Sequence, residues 1–231
     1  MTSRPGTGQL VYLEDIAQRR LLAIIRADGP DRALRCIRTL VHAGVTALEV
    51  SLTTPGALDA LARARSQCPP GVLLGAGTVL TADQADAASA AGAGFVVTPG
   101  ITPGARRAAA NGTPLLCGAL SPTEVIAALD LGAMAVKVFP AGLHGPGYLR
   151  ELRAPLPEAP LVAVGGVDAR TAPEYLAAGA VAVGVGSPLI GVAGTTDTPQ
   201  AYDDLAGRAA QFLEAVAPGR GAGRDRRQET R

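Results

Sequence analysis

The 231-residue chain contains no tryptophan, two histidines and a single lysine. Its three cysteines, Cys36, Cys68 and Cys117, lie far apart and form no CxxC pair, and His42 and His144 are equally scattered. That distribution argues against a disulfide framework and against a zinc site. Aromatic residues make up 3% of the chain, too few for a platform on which single-stranded nucleic acid would stack. The formal net charge is +1, which removes the electrostatic case for nucleic-acid or membrane-surface binding. Uninterrupted apolar runs such as Leu21 to Ile25 are far shorter than the ~20 residues that span a bilayer. The opening segment lacks the apolar stretch of a secretory signal, so the expected setting is the reducing cytoplasm.

What is abundant is aliphatic. Hydrophobic residues reach 48%, enough for one core, and the length suits a single α/β barrel domain of roughly 200–250 residues. Eight short apolar runs bounded by Gly or Pro read as buried parallel strands: 21–26, 47–52, 73–79, 95–99, 114–120, 135–140, 161–167 and 181–187. Helical patterns lie between them. Ser121-Pro-Thr-Glu124 and Thr81-Ala-Asp-Gln84 read as capping boxes. Gly44, Gly92, Gly132 and Gly179 each end a helix a few residues before the next strand, where a left-handed turn is needed. The fold expected is a single (β/α)8 TIM barrel over residues 9–217, with an extra N-terminal helix. A doubly wound open sheet is the rival. Residues 1–8 and the Arg-rich 218–231 are expected to be disordered ends.

Barrel chemistry sits at the C-terminal strand ends. In Ala135-Val-Lys-Val-Phe139, strand alternation puts Lys137 on the face opposite Val136 and Val138, and so inside the barrel. Burial disfavours an ammonium and favours a nucleophilic amine. In Ala47-Leu-Glu-Val-Ser51 the same alternation turns Glu49 and Ser51 inward. An inward amine and carboxylate suit Schiff-base chemistry, with the carboxylate moving protons. A purely structural ion pair is the alternative. Twenty of the 21 basic residues are arginine, a composition that codon bias alone explains and that makes Lys137 conspicuous. Arg26 ends its strand where a guanidinium could hold a carboxylate. Thr78 and the Thr98-Pro99-Gly100 turn end the next strands. Gly165-Gly166 and Gly186-Ser187 close the strands whose loops bind phosphate in many barrels.

These segments resemble the 2-keto-3-deoxy-6-phosphogluconate aldolase family, including its galactonate-specific branch. The matching stretches are Ile24-Ile-Arg26, Leu48-Glu-Val-Ser-Leu52, Gly75-Ala-Gly-Thr-Val79, Val97-Thr-Pro-Gly100, Val136-Lys-Val-Phe-Pro140, Gly165-Gly-Val167 and Gly184-Val-Gly-Ser187, in family order. The resemblance implies a class I aldolase, usually a homotrimer. It acts on a phosphorylated 2-keto sugar acid and releases pyruvate. By that likeness Lys137 is the Schiff-base lysine and Glu49 the general acid/base. Arg26, Thr78, Pro99 and Phe139 surround the pyruvate part, and Gly165, Gly166, Gly186 and Ser187 form the phosphate site. Two positions depart from the best-known gluconate enzymes. Thr53 stands where many carry arginine, and Val164 where they often carry threonine. Val164 resembles the galactonate branch, so the expectation leans to the galactonate epimer with the gluconate form left open. Three alternatives remain at this point: an isomerase or epimerase without a covalent lysine, a 4-hydroxy-2-oxoglutarate aldolase, and a non-catalytic sugar-phosphate-binding barrel.

Overall fold

A computed structural model describes residues 7–219. The expectation of disordered ends falls largely on residues 1–6 and 220–231, outside the described residues. Eight parallel strands close in sequence order into a barrel: β1 (Leu21–Ile25), β2 (Ala47–Ser51), β3 (Leu73–Gly77), β4 (Val96–Val97), β5 (Leu115–Ala119), β6 (Ala135–Val138), β7 (Leu161–Val164) and β8 (Ala182–Val185). β8 returns to β1 with Leu21 opposite Val183, so no strand edge is left open. Helix α1 (Thr7–Arg19) precedes the barrel. Helices α2 (Pro30–His42), α3 (Ala57–Gln67), α4 (Ala82–Ala90), α5 (Pro103–Ala110), α6 (Pro122–Asp130), α7 (Gly145–Arg153), α8 (Ala172–Ala177), the short α9 (Ser187–Ile190) and α10 (Pro199–Val216) follow in order. No described helix is long and apolar enough to cross a membrane.

Every strand is shorter at its C-terminal end than the sequence predicts, because the backbone there turns out of the sheet. Thr78 takes φ +60°, and Gly165 and Gly166 take +87° and +74°. At β4 the Thr98 hydroxyl donates to the Gly100 carbonyl at 2.7 Å and turns the chain away. Pro99 also has no N–H to extend the ladder. Both capping boxes form: Ser121 Oγ accepts from the Glu124 N–H, and Thr81 Oγ1 from the Gln84 N–H. The four helix-ending glycines all have φ between +87° and +98°.

Alternation along the strands divides the core in two. Leu48, Val50, Val136 and Val138 pack outward with the helices, while Ala47, Leu73, Phe95, Val97, Leu116, Ala135, Val162 and Val164 fill the interior. Ile16 of α1 joins the interior group, and Arg19 fastens α1 beneath the barrel. Its Nε donates to Thr46 Oγ1 and its Nη2 to the Gly71 carbonyl, just before β2 and β3 begin. The N-terminal end is therefore plugged, and access to the interior is left to the C-terminal end.

Candidate active site

Lys137 and Glu49 both lie inside the barrel. Lys137 is 6% exposed and Glu49 fully buried. Lys137 Nζ sits 5.1 Å from the centroid of the ring of Phe139, itself an exposed residue. Neither Glu49 carboxylate oxygen has a hydrogen-bond partner. Burial pushes the Glu49 carboxyl above the ordinary carboxylate value, and the positive charges of Lys137 and then Arg26 pull it back by less. A buried, unpartnered carboxylate is costly, and such groups cluster where proton transfer is needed.

The ends of β1, β2 and β3 are joined by a chain of side-chain hydrogen bonds. Arg26 Nε donates to Thr53 Oγ1 at 3.0 Å, Thr53 shares a hydrogen bond with Ser51 Oγ at 2.8 Å, and Ser51 shares another with Thr78 Oγ1 at 2.9 Å. Thr78 takes its place in this chain from a left-handed backbone position, which is unfavourable for a β-branched residue. Ser51 is fully buried and central to the chain. The sequence pattern shows that it faces inward, but nothing in the sequence marks it as the hub of the chain. Thr54 accepts the Ala27 N–H at 3.1 Å and holds the turn after β1 against that after β2, another link with no sequence signal.

The Thr98-Pro99-Gly100 turn presses against Gly118 of β5, which pairs with Lys137. A Cβ on Gly118 would lie 2.2 Å from the Pro99 carbonyl carbon. Gly165 lies beneath the Phe139 ring, where a Cβ would stand 3.0 Å from two ring carbons. Its carbonyl accepts the Gly142 N–H at 2.8 Å, so the loops after β6 and β7 are locked together. Val164 is buried and faces the interior, with room made for its methyl by Gly184 on β8.

A cavity of about 390 Å³ opens between the loops after β1 and β8, lined by Arg26, Asp28, Thr53, Gly186, Ser187 and Thr195 among others. Arg26 thus stands with Gly186 and Ser187, while its charge still reaches Glu49. Lys137, Glu49, Gly165 and Gly166 do not line this cavity. Among the described residues no group of three or more His, Cys, Asp or Glu side chains is placed to hold a metal ion.

The family model described as KDPG and KHG aldolase matches residues 13–213. The chain is 37% identical to a probable 2-dehydro-3-deoxy-6-phosphogalactonate aldolase of Rhizobium meliloti, over 74% of this chain and 82% of that one. It is 36% identical to a 2-dehydro-3-deoxy-phosphogluconate aldolase of Treponema pallidum, over 73% and 80%. Among solved structures it is similar to a KDPG aldolase from Legionella pneumophila holding pyruvate as a covalent carbinolamine. The TM-score is 0.73 and the identity 28%, over 88% of this chain and 95% of that one.

Proposed function

The chain belongs to the KDPG and KHG aldolase family, and from that premise we propose that it cleaves a 2-keto-3-deoxy-6-phospho sugar acid by class I retro-aldol chemistry. The products are pyruvate and D-glyceraldehyde 3-phosphate. The observation that carries this reading is that the chain's one lysine and a fully buried carboxylate face the same barrel interior, near enough for the charge of Lys137 to act on Glu49 without hydrogen-bonding it. The carbinolamine held by the Legionella relative supports a covalent route.

Lys137 Nζ attacks the C2 ketone to form a carbinolamine, which loses water to give the protonated imine. That cation is the electron sink. Glu49, through a water molecule, takes the proton of the C4 hydroxyl. The C3–C4 bond then breaks, its electron pair flowing into the imine to leave the pyruvate enamine, and the aldehyde departs. The enamine is protonated at C3 and water hydrolyses the imine, restoring Lys137. Each step is general acid/base or nucleophilic chemistry that side chains supply, so the route calls on no metal and no organic cofactor.

Thr78, Pro99 and Phe139 are assigned to the pyruvate end. Arg26 stands between that end and the cavity shared with Gly186 and Ser187, which with Gly165 and Gly166 is assigned to the phosphate. That cavity is assigned to the phosphate end alone, since Lys137 and Glu49, which meet the keto end, do not line it. Val164, apolar and inward, supports preference for the galactonate epimer, and the expected assembly is a homotrimer. Borohydride reduction in the presence of pyruvate tests the reading. The wild-type protein is expected to gain one irreversible mass adduct on Lys137, and Lys137→Arg none, because a guanidinium forms no such imine. An active Lys137→Arg protein overturns the mechanism.

A further inference from the structure

Gly77 ends β3 directly opposite Ser51 of β2. Its φ is not in the left-handed region, so its backbone would accept any L-residue. Its missing side chain has another consequence. A Cβ built on Gly77 would lie 2.5 Å from Glu49 Oε1, 2.8 Å from Cδ and 3.3 Å from Cγ, so the Glu49 carboxylate occupies the space that a residue 77 side chain would fill. The neighbouring interior glycines differ. At Gly75 the Cβ would meet the Phe95 ring, and at Gly118 the Pro99 backbone. Those obstacles are packed ring and main chain, whereas the obstacle at Gly77 is the free end of a rotatable side chain with no hydrogen bond to hold it elsewhere.

We propose that Gly77 is a positioning residue for Glu49: the slot left by its absent side chain sets where the proton-transferring carboxylate stands relative to Lys137. The inference rests on the aldolase reading given above. An alanine at 77 is accommodated by swinging the carboxylate out of its slot, so the fold survives and proton transfer suffers. A shift of about 1 Å at a reacting group costs on the order of 10²-fold in rate.

The experiment compares wild type, Gly77→Ala, Glu49→Asp, Gly77→Ala/Glu49→Asp and Gly77→Ala/Glu49→Ala. Three readouts are needed: cleavage kinetics, the end-point yield of borohydride-trapped pyruvate, and exchange of pyruvate methyl protons in deuterium oxide by NMR. Gly77→Ala is expected to keep the trapped yield and KM while losing about 10²-fold in kcat and in methyl exchange. Glu49→Asp shortens the acid by one methylene. It should cost less in the alanine background than in wild type, because the shorter side chain clears the added methyl. Wild-type kcat in Gly77→Ala, or equal losses from Glu49→Asp in both backgrounds, overturns the proposal. If Gly77→Ala fails to fold, Gly77→Ala/Glu49→Ala decides: a folded double variant shows that the clash is with the carboxylate, and an unfolded one shows that it lies elsewhere. Absence of any adduct on wild type defeats the aldolase reading itself, whereas an adduct with unimpaired Gly77→Ala defeats only the role of Gly77.

Discussion

Glu49→Gln should make the protein more stable and less active, and the gain should depend on pH. In the folded chain the Glu49 carboxyl is raised above 4.5, chiefly by burial and against the smaller pull of Lys137 and Arg26. The folded state therefore holds this proton over a range of pH in which the unfolded state has already released it. Stability falls as pH rises through that range, which begins near 4.5, and the whole cost is present above it. Glutamine carries no charge and escapes that cost. Two buried acceptor oxygens lack partners, and a buried group left unsatisfied costs about 1–3 kcal/mol, more when charged. Glutamine still buries an amide and gives up the attraction of Lys137, so the net gain is smaller than the cost of burying the charge and grows as pH rises above 4.5. For a chain of this size each kcal/mol moves Tm by about 2–4 °C. With no tryptophan to report, the assay is urea unfolding followed by far-UV circular dichroism at pH 5 and pH 8. The variant should lead clearly at pH 8 and by less at pH 5, with cleavage reduced about 10²–10⁴-fold, the usual share of a general acid/base. A variant less stable at pH 8, or one whose advantage ignores pH, would refute the argument that burial dominates at Glu49.

Gly118→Ala places a methyl 2.2 Å from the Pro99 carbonyl carbon, where carbon contacts want about 3.5–4.0 Å, so the turn must retreat by roughly 1.5 Å. Loss of about 10²-fold in kcat/KM and about 1–3 kcal/mol in stability is expected from a coupled assay of pyruvate release and from thermal melts. Ser121→Ala removes the capping box at the start of α6 and should cost about 1 kcal/mol of stability, read from thermal melts. Val164→Thr introduces a hydroxyl on the interior face. Assayed with both C4 epimers side by side, it should move the kcat/KM ratio toward the gluconate form by up to about 10²-fold, and an unmoved ratio removes Val164 from the specificity argument.

The barrel was legible because parallel strands covered by helices leave a simple signature of short aliphatic runs between capped helices. All eight strands were expected, and the inward turn of Glu49 and Lys137 follows from period-two alternation alone. Less legible were contacts that need register between strands. The Arg26–Thr53–Ser51–Thr78 chain draws on three strand ends, and the Gly77 slot depends on β3 pairing with β2 so that Gly77 lies opposite Ser51. No spacing within one strand encodes such a pairing. The sequence also leaves open a structural ion pair between Lys137 and Glu49. Instead neither carboxylate oxygen is hydrogen-bonded, and Lys137 lies over the Phe139 ring.

The interior glycines explain how a packed barrel comes to hold two ionisable groups at all. A (β/α)8 interior is normally filled by branched side chains. Here Ile16, Leu22, Leu73, Phe95, Leu116 and Val162 do that, with α1 sealing the end beneath them. Farther along the strands, Gly75 yields to Phe95, Gly77 to Glu49, Gly118 to the Pro99 turn and Gly184 to Val164. Glycine inside a strand or helix costs about 0.5–1 kcal/mol relative to alanine, so four of them are a standing charge against stability. In return the upper interior has space for the Glu49 carboxylate, the Pro99 turn and the Val164 methyl, where the lower is filled by Leu and Phe side chains. The lone lysine can then be buried near a carboxylate that no protein group hydrogen-bonds, in a site that water and a small substrate enter from one side. A Cβ at any of the four would meet a heavy atom at less than 3.0 Å, so each filling substitution is expected to cost packing, and at Gly77 and Gly118 it also displaces Glu49 or the Pro99 turn.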